Sequence, residues 1–176
     1  MSRIDILGVP FDNMMMDEAV DYAMNCCAGQ SAAYVVTPNP EIVMSALENR
    51  ELMEAIRGAD FVLPDGIGVI YGARILGSPL QERIPGIDFA VRLMERLSYA
   101  KSSVFLFGAK PGVAEQAGEN LKERFPGLVI AGTCDGYFTD DAPIITAINE
   151  AAPELLLVCL GSPKQELWMA QNAGKL

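Results

Sequence analysis

The chain has 176 residues, 51% of them apolar and 20% charged, and its thirteen basic against twenty-three acidic side chains give a net charge of −10. That composition predicts a single domain with a substantial core, and the acidic excess excludes a nucleic-acid surface built from clustered Lys and Arg. Histidine is absent, which excludes Ser-His-Asp and Cys-His catalysis and leaves a carboxylate, Lys, Tyr or Cys as any general base.

In chain order, residues 4–9 read as a strand, 17–28 as an amphipathic helix, 33–36 as a strand and 41–57 as a helix broken near Asn49. A strand at 61–63 follows. Helices at 68–76 and 88–99 flank a loop, GSPLQERIPGI, held open by Gly77, Pro79, Pro85 and Gly86. The second half alternates more regularly: strand 103–107, helix 112–125, strand 128–131, helix 142–152, strand 155–160 and a helix from 163 onward. Strands of near-continuous Val, Leu and Ile between amphipathic helices predict an α/β domain, a mostly parallel sheet with helices on both faces.

Nothing in the chain approaches the ~18–20 uninterrupted apolar residues of a membrane span. MSRIDILGVPFDN lacks a signal-peptide core, so a cytoplasmic location is expected. Cys26, Cys27, Cys134 and Cys159 have no C-x-x-C spacing and read as reduced core residues. The run Met14–Met16 reads as flexible packing or the lining of an apolar groove.

Four loops that follow strands carry unusual chemistry: TPNP (37–40), PDG (64–66), GAKPG (108–112) and GSPKQE (161–166). A parallel sheet sets all four on the edge where ligands bind, outside the carboxyl ends of the strands. Asp65 reads there as a site carboxylate or as a turn and cap residue. Thr37 and Asn39 read as site residues or as caps for a helix beginning at Pro40. In GAKPG, Gly108 permits close backbone approach, Lys110 is cationic and Pro111 suits the first turn of a helix, a phosphate cradle without either standard fingerprint. GSPKQE repeats the design, with Ser162 as a cap, Pro163 at the first helical position, and Lys164, Gln165 and Glu166 in the first turn. Arg83 reads as a mobile anion clamp or a solvated charge. No D-x-D pair is present, and Asp140–Asp141 precedes a helix as a cap would, so no metal site is expected.

TPNPEIV, ADFVLPDGIGV, ERIPGIDF, LFGAKPGVAE, GYF and GSPKQELW, in this order, resemble the WecG/TagA/CpsF family of bacterial glycosyltransferases over nearly all of residues 1–176. The resemblance implies a Rossmann-like single domain without cofactor or divalent metal. It also implies inverting transfer of N-acetylmannosamine from a UDP-sugar donor to undecaprenyl-diphosphate-linked N-acetylglucosamine, a step of wall teichoic acid linkage-unit synthesis. Carried over residue by residue, Asp65 becomes the general base, Thr37 and Asn39 orient sugar hydroxyls, and Arg83 stabilises diphosphate charge. Gly108, Ala109 and Lys110 would face the nucleotide, with Gln165 and Glu166 closing the site. Members of the family continue into a basic, partly apolar carboxyl-terminal segment that meets the membrane. The expectation is therefore a truncated chain, peripheral at the inner face of the cell membrane in its full form and capable of self-association. Related donors, UDP-N-acetylmannosaminuronic acid or UDP-glucose, remain open, as do a non-catalytic nucleotide-binding module and an NAD-dependent oxidoreductase.

Overall fold

The computed structural model describes residues 2–29 and 31–176. Where the sequence predicts one strand over 4–9, the chain folds as a hairpin of β1 (Arg3–Ile6) and β2 (Val9–Asp12), paired antiparallel. Leu7 and Gly8 both have positive φ, 54° and 88°, as a two-residue type I′ turn requires. Leucine is a poor residue for that turn, so the alternation IDILGV reads straight through it. Asp12, 2% exposed, fastens the hairpin: its Oδ1 accepts from Arg3 Nε at 2.9 Å and its Oδ2 from the Val62 N–H at 2.9 Å.

The remaining elements follow the predicted alternation: α1 (Met16–Cys27), β3 (Val35–Val36), α2 (Pro40–Glu48), α3 (Arg50–Arg57), β4 (Phe61–Val62), α4 (Ile67–Ile75) and α5 (Gly86–Ala100). The second half adds β5 (Ser103–Gly108), α6 (Val113–Arg124), β6 (Val129–Cys134), α7 (Ala142–Ala151), β7 (Leu155–Cys159) and α8 (Lys164–Asn172). The break near Asn49 is real: its side chain accepts the Leu52 N–H at 3.1 Å and caps α3 where α2 ends.

The protein is an α/β domain, but its strands form three hydrogen-bonded pieces. β3 pairs parallel with β4, and a parallel sheet of order β6-β5-β7 stands beside them. The β3–β4 ladder is short because Pro38 and Pro64 follow almost at once and bring no N–H. Side chains alternate across this layer with the strand period of two. Val35, Phe61, Leu63, Val104, Leu106, Leu155 and Leu157 pack on one face against α1, α5 and α6. Val36 and Val62 turn to the other face under α2, α3 and α4. Phe105, Phe107, Leu156 and Val158 turn the same way under α7 and α8, and Met169 of α8 joins the two clusters on that side. Helices thus cover both faces, as the sequence predicts.

Candidate active site

Both parallel sets run in the same direction. Cys26 and Cys27, at the carboxyl end of α1, lie near enough to Asp60, ahead of β4, and Glu154, ahead of β7, to feel their charges. Burial is the larger effect on both thiols; with the Asp60 charge it raises Cys26, and with Cys26 and Glu154 it pushes Cys27 up to about 11. The strand starts therefore share one edge, and the four loops share the other.

On that edge the TPNP and PDG loops touch. The Asp65 N–H donates to the Pro38 carbonyl at 3.3 Å, and Pro40 packs against Gly66 and Gly68. The loop before α5 closes over them, with the Ile84 N–H donating to the Pro64 carbonyl at 2.9 Å. Half-buried Asp65 then accepts the Gly86 N–H on Oδ2 at 3.2 Å. Thr37 stands against the same glycine, so close that a Cβ at position 86 would lie 2.6 Å from its Oγ1. The result is a carboxylate, a hydroxyl and the first turn of α5 converging at the ends of β3 and β4. Asn39 beside them caps α2, accepting the Ile42 N–H at 2.9 Å, so the capping alternative is the one observed for its Oδ1.

A second concavity, of about 460 Å³, lies at the ends of β5, β6 and β7. Ala109, Lys110, Gly136, Tyr137, Phe138, Cys159, Leu160 and Lys164 line it. Its floor is tightly tied: the Ala109 N–H donates to the Cys159 carbonyl at 3.0 Å and the Gly136 N–H to the Ala109 carbonyl at 2.9 Å. Gly108, at φ 131°, is required there, because any side chain would run into the Cys159 carbonyl. Lys164 Nζ donates to the Gly136 carbonyl at 2.9 Å and sits 4.1 Å from the centre of the Phe138 ring, a cation–π contact that fixes its charge at the wall. Tyr137, 70% exposed, stands on the rim, and its N–H donates to Asp135 Oδ1 at 2.8 Å.

Several expectations change. Pro111 lies outside α6, whose cap is Gly112, and Pro163 is the cap position of α8 rather than its first residue, with no side-chain bond from Ser162. Asp140 accepts the Ala142 N–H, whereas Asp141 receives Trp168 Nε1 at 3.2 Å and Asn172 Nδ2 at 3.1 Å. Of the cysteines, Cys159 is exposed and the other three are half-buried, so none is a full core residue. Met14 and Met16 are buried while Met15 is not.

The predicted site residues divide into groups. Thr37, Asn39 and Asp65 meet at one end, and Gly108, Ala109 and Lys110 at the other. Arg83 is exposed and lines a separate cavity of about 390 Å³ with Met16, Glu82, Pro85, Asp88, Val91 and Arg92, a set without Asp65 or Thr37. Gln165 accepts the Gly161 N–H and donates to Glu166 Oε1 at 3.0 Å. Glu166 is 2% exposed, and among the described residues its Oε2 has no partner. Sequence reasoning did not single out Gly86, Tyr137, Phe138 or Cys159 as site residues. GYF and ERIPGIDF carried the signal for the first three, but only the fold brings them to the strand ends.

An α/β domain with polar loops gathered at the carboxyl ends of its parallel strands has the architecture in which ligands bind along that edge. A model of the Glycosyl transferase WecG/TagA/CpsF family matches residues 4–176, and the chain belongs to that family. It is 39% identical over 137 residues to a Bacillus spizizenii protein named N-acetylglucosaminyldiphosphoundecaprenol N-acetyl-beta-D-mannosaminyltransferase, covering 78% of this chain and 53% of that one. Proteins of the same name from Bacillus subtilis and Staphylococcus aureus are 33% and 34% identical over 94% and 96% of this chain, and 65% and 67% of their own length is covered. The chain thus spans between about half and two thirds of the length of these curated relatives.

Proposed function

We propose that this chain is the donor-binding and catalytic part of an inverting glycosyltransferase that moves N-acetylmannosamine from UDP to polyprenyl-diphosphate-linked N-acetylglucosamine. The observation that carries the reading is Asp65, held by Gly86 beside Thr37 at the loop edge of a chain that belongs to this family. The names of the relatives support the acceptor and the transferred sugar.

In the reaction, an acceptor hydroxyl oxygen bonds to the anomeric carbon from the face opposite UDP. The bond from that carbon to the diphosphate breaks with its electron pair on UDP, and the hydroxyl proton passes to the Asp65 carboxylate. Thr37 orients a sugar hydroxyl. UDP occupies the 460 Å³ concavity, where Lys110, Lys164 and the start of α6 meet diphosphate charge, and Tyr137 covers the base. Arg83 reaches the diphosphate only if its loop moves, and Gln165 orders the loop after β7.

The test is sugar transfer by the intact protein and its Asp65→Asn variant, with UDP binding followed in both. Loss of a base lowers turnover by roughly 10²–10⁴-fold while nucleotide affinity holds. Equal turnover would remove Asp65 from the chemical step, and nucleotide binding without any turnover in the intact protein would favour a non-catalytic nucleotide-binding module.

A further inference from the structure

We propose that Asp141 is a positioning residue for the nucleotide: through Trp168 and Asn172 it ties the loop between β6 and α7 to α8 and so sets one wall of the 460 Å³ concavity. This rests on the assignment of UDP to that concavity. Gly136, Tyr137 and Phe138 form the wall, and all three lie in the loop. The Gly136 N–H, bonded to the Ala109 carbonyl, fastens the near end of the loop to the floor. The far end is held by α8.

Lys164, Trp168 and Asn172 follow one another at four-residue spacing and form one stripe of that helix. Each of them meets the loop. Lys164 bonds to the Gly136 carbonyl and covers the Phe138 ring, while Trp168 Nε1 and Asn172 Nδ2 donate to the two carboxylate oxygens of Asp141. Aromatic rings join the two ends of the stripe: Trp168 lies edge-on to Phe107 at 4.9 Å between ring centres, and Phe107 stands 5.4 Å from Phe138. Asp141 does not act as an ordinary cap. Its side chain takes no N–H at the start of α7, where Asp140 accepts the Ala142 N–H instead. Its partners lie 27 and 31 residues away, and both are buried. Apolar packing alone would hold α8 against the sheet in several orientations. A carboxylate with two directed bonds selects one of them and, with it, the place of Lys164 one turn earlier.

Calorimetric titration of the parent, Asp141→Ala and Trp168→Phe with UDP tests the proposal, together with amide hydrogen exchange of residues 135–139 in the absence of nucleotide. In Asp141→Ala both donors lose their acceptor, so the UDP dissociation constant rises roughly tenfold and the loop amides exchange roughly tenfold faster. KM for the sugar donor rises with it while kcat at saturating donor holds, because Asp65 lies in the other half of the edge. Trp168→Phe keeps a ring against Phe107 and loses only the N–H. It raises the dissociation constant about threefold, and adds nothing in the Asp141→Ala background. Should Asp141→Ala fail to fold, Trp168→Phe decides alone. A variant that is less stable but binds UDP as tightly as the parent overturns the proposal, as do additive effects in the double variant or unchanged loop exchange. A parent that binds no UDP, with loop exchange still faster in Asp141→Ala, would sink the nucleotide assignment and leave the tie between loop and helix standing.

Discussion

Gly86→Ala tests the geometry of the candidate site through a conflict between two effects of opposite sign. Gly86 opens α5, and replacing a helical glycine by alanine favours the helix by at most about 1 kcal/mol. The new Cβ, however, would lie 2.6 Å from Thr37 Oγ1 and 3.2 Å from Thr37 Cβ. Rotating χ1 does not relieve the contact with Cβ, so either the end of β3 or the first turn of α5 must move. Overpacking of this kind costs about 1–3 kcal/mol, which exceeds the helical gain. The net expectation is destabilisation of about 1–2 kcal/mol, a fall in Tm of roughly 2–8 °C for a chain of this length. Urea unfolding followed by circular dichroism reads it. Thr37→Ala removes Oγ1 and Cγ2, so the double variant recovers part of the loss, with a coupling energy of about 1 kcal/mol. Transfer activity falls in Gly86→Ala because the N–H held by Asp65 shifts, while UDP affinity in the separate concavity stays unchanged. A Gly86→Ala protein as stable as its parent, or strict additivity with Thr37→Ala, would refute the packing of Thr37 on Gly86.

Cys159 is exposed and lines the 460 Å³ concavity, so its alkylation reports what occupies that space; UDP slows the reaction, and a rate indifferent to UDP would take the nucleotide out of this concavity. Glu154 accepts hydrogen bonds from the Ser103 hydroxyl and, at 2.7 Å, from the Ser103 N–H; the hydroxyl bond is the main cause holding its pKa below 4.5. A folded-state pKa below the unfolded one stabilises at pH above 4.5 and loses that contribution as pH falls through the folded value. The stability difference between parent and Glu154→Gln therefore narrows on acidification below 4.5, and a constant difference across that range would refute the linkage. Asn39→Asp preserves the cap on α2, whereas Asn39→Ala costs about 1 kcal/mol. Equal unfolding midpoints for the two would show that the cap contributes nothing.

Much of the architecture was legible because runs such as VFLF and LLLVC are apolar at every position, and only a strand covered on both faces needs that. The hairpin was not. Leu7 and Gly8 turn the chain at a point where the apolar alternation never lapses, and only pairing with Val9–Asp12 reveals the reversal. The division of the sheet was equally hidden, since Pro38 and Pro64 read as loop residues, and their effect is to deny N–H donors to a ladder seen only in three dimensions. At the site, Asp65 and Thr37 were legible as polar residues at strand ends. The contribution of Gly86 was not, because a backbone N–H has no side-chain signature. Lys164 was visible as a cation in a first turn, but its contacts with Gly136 and Phe138 join segments 26–28 residues apart in the chain.

The capping and functional readings of these loops turn out to be parts of one arrangement. Asn39 satisfies an N–H at the start of α2 and, by doing so, fixes the path of the TPNP loop that presents Thr37. Asp65 takes the first N–H of α5 and thereby holds a carboxylate at the strand edge with Oδ1 outside that bond. A helix start offers unpaired N–H groups whatever the protein does. What differs here is that two such starts, those of α2 and α5, are brought together by parallel strands ending side by side, and a third, that of α4, carries an apolar outer face away from the same point.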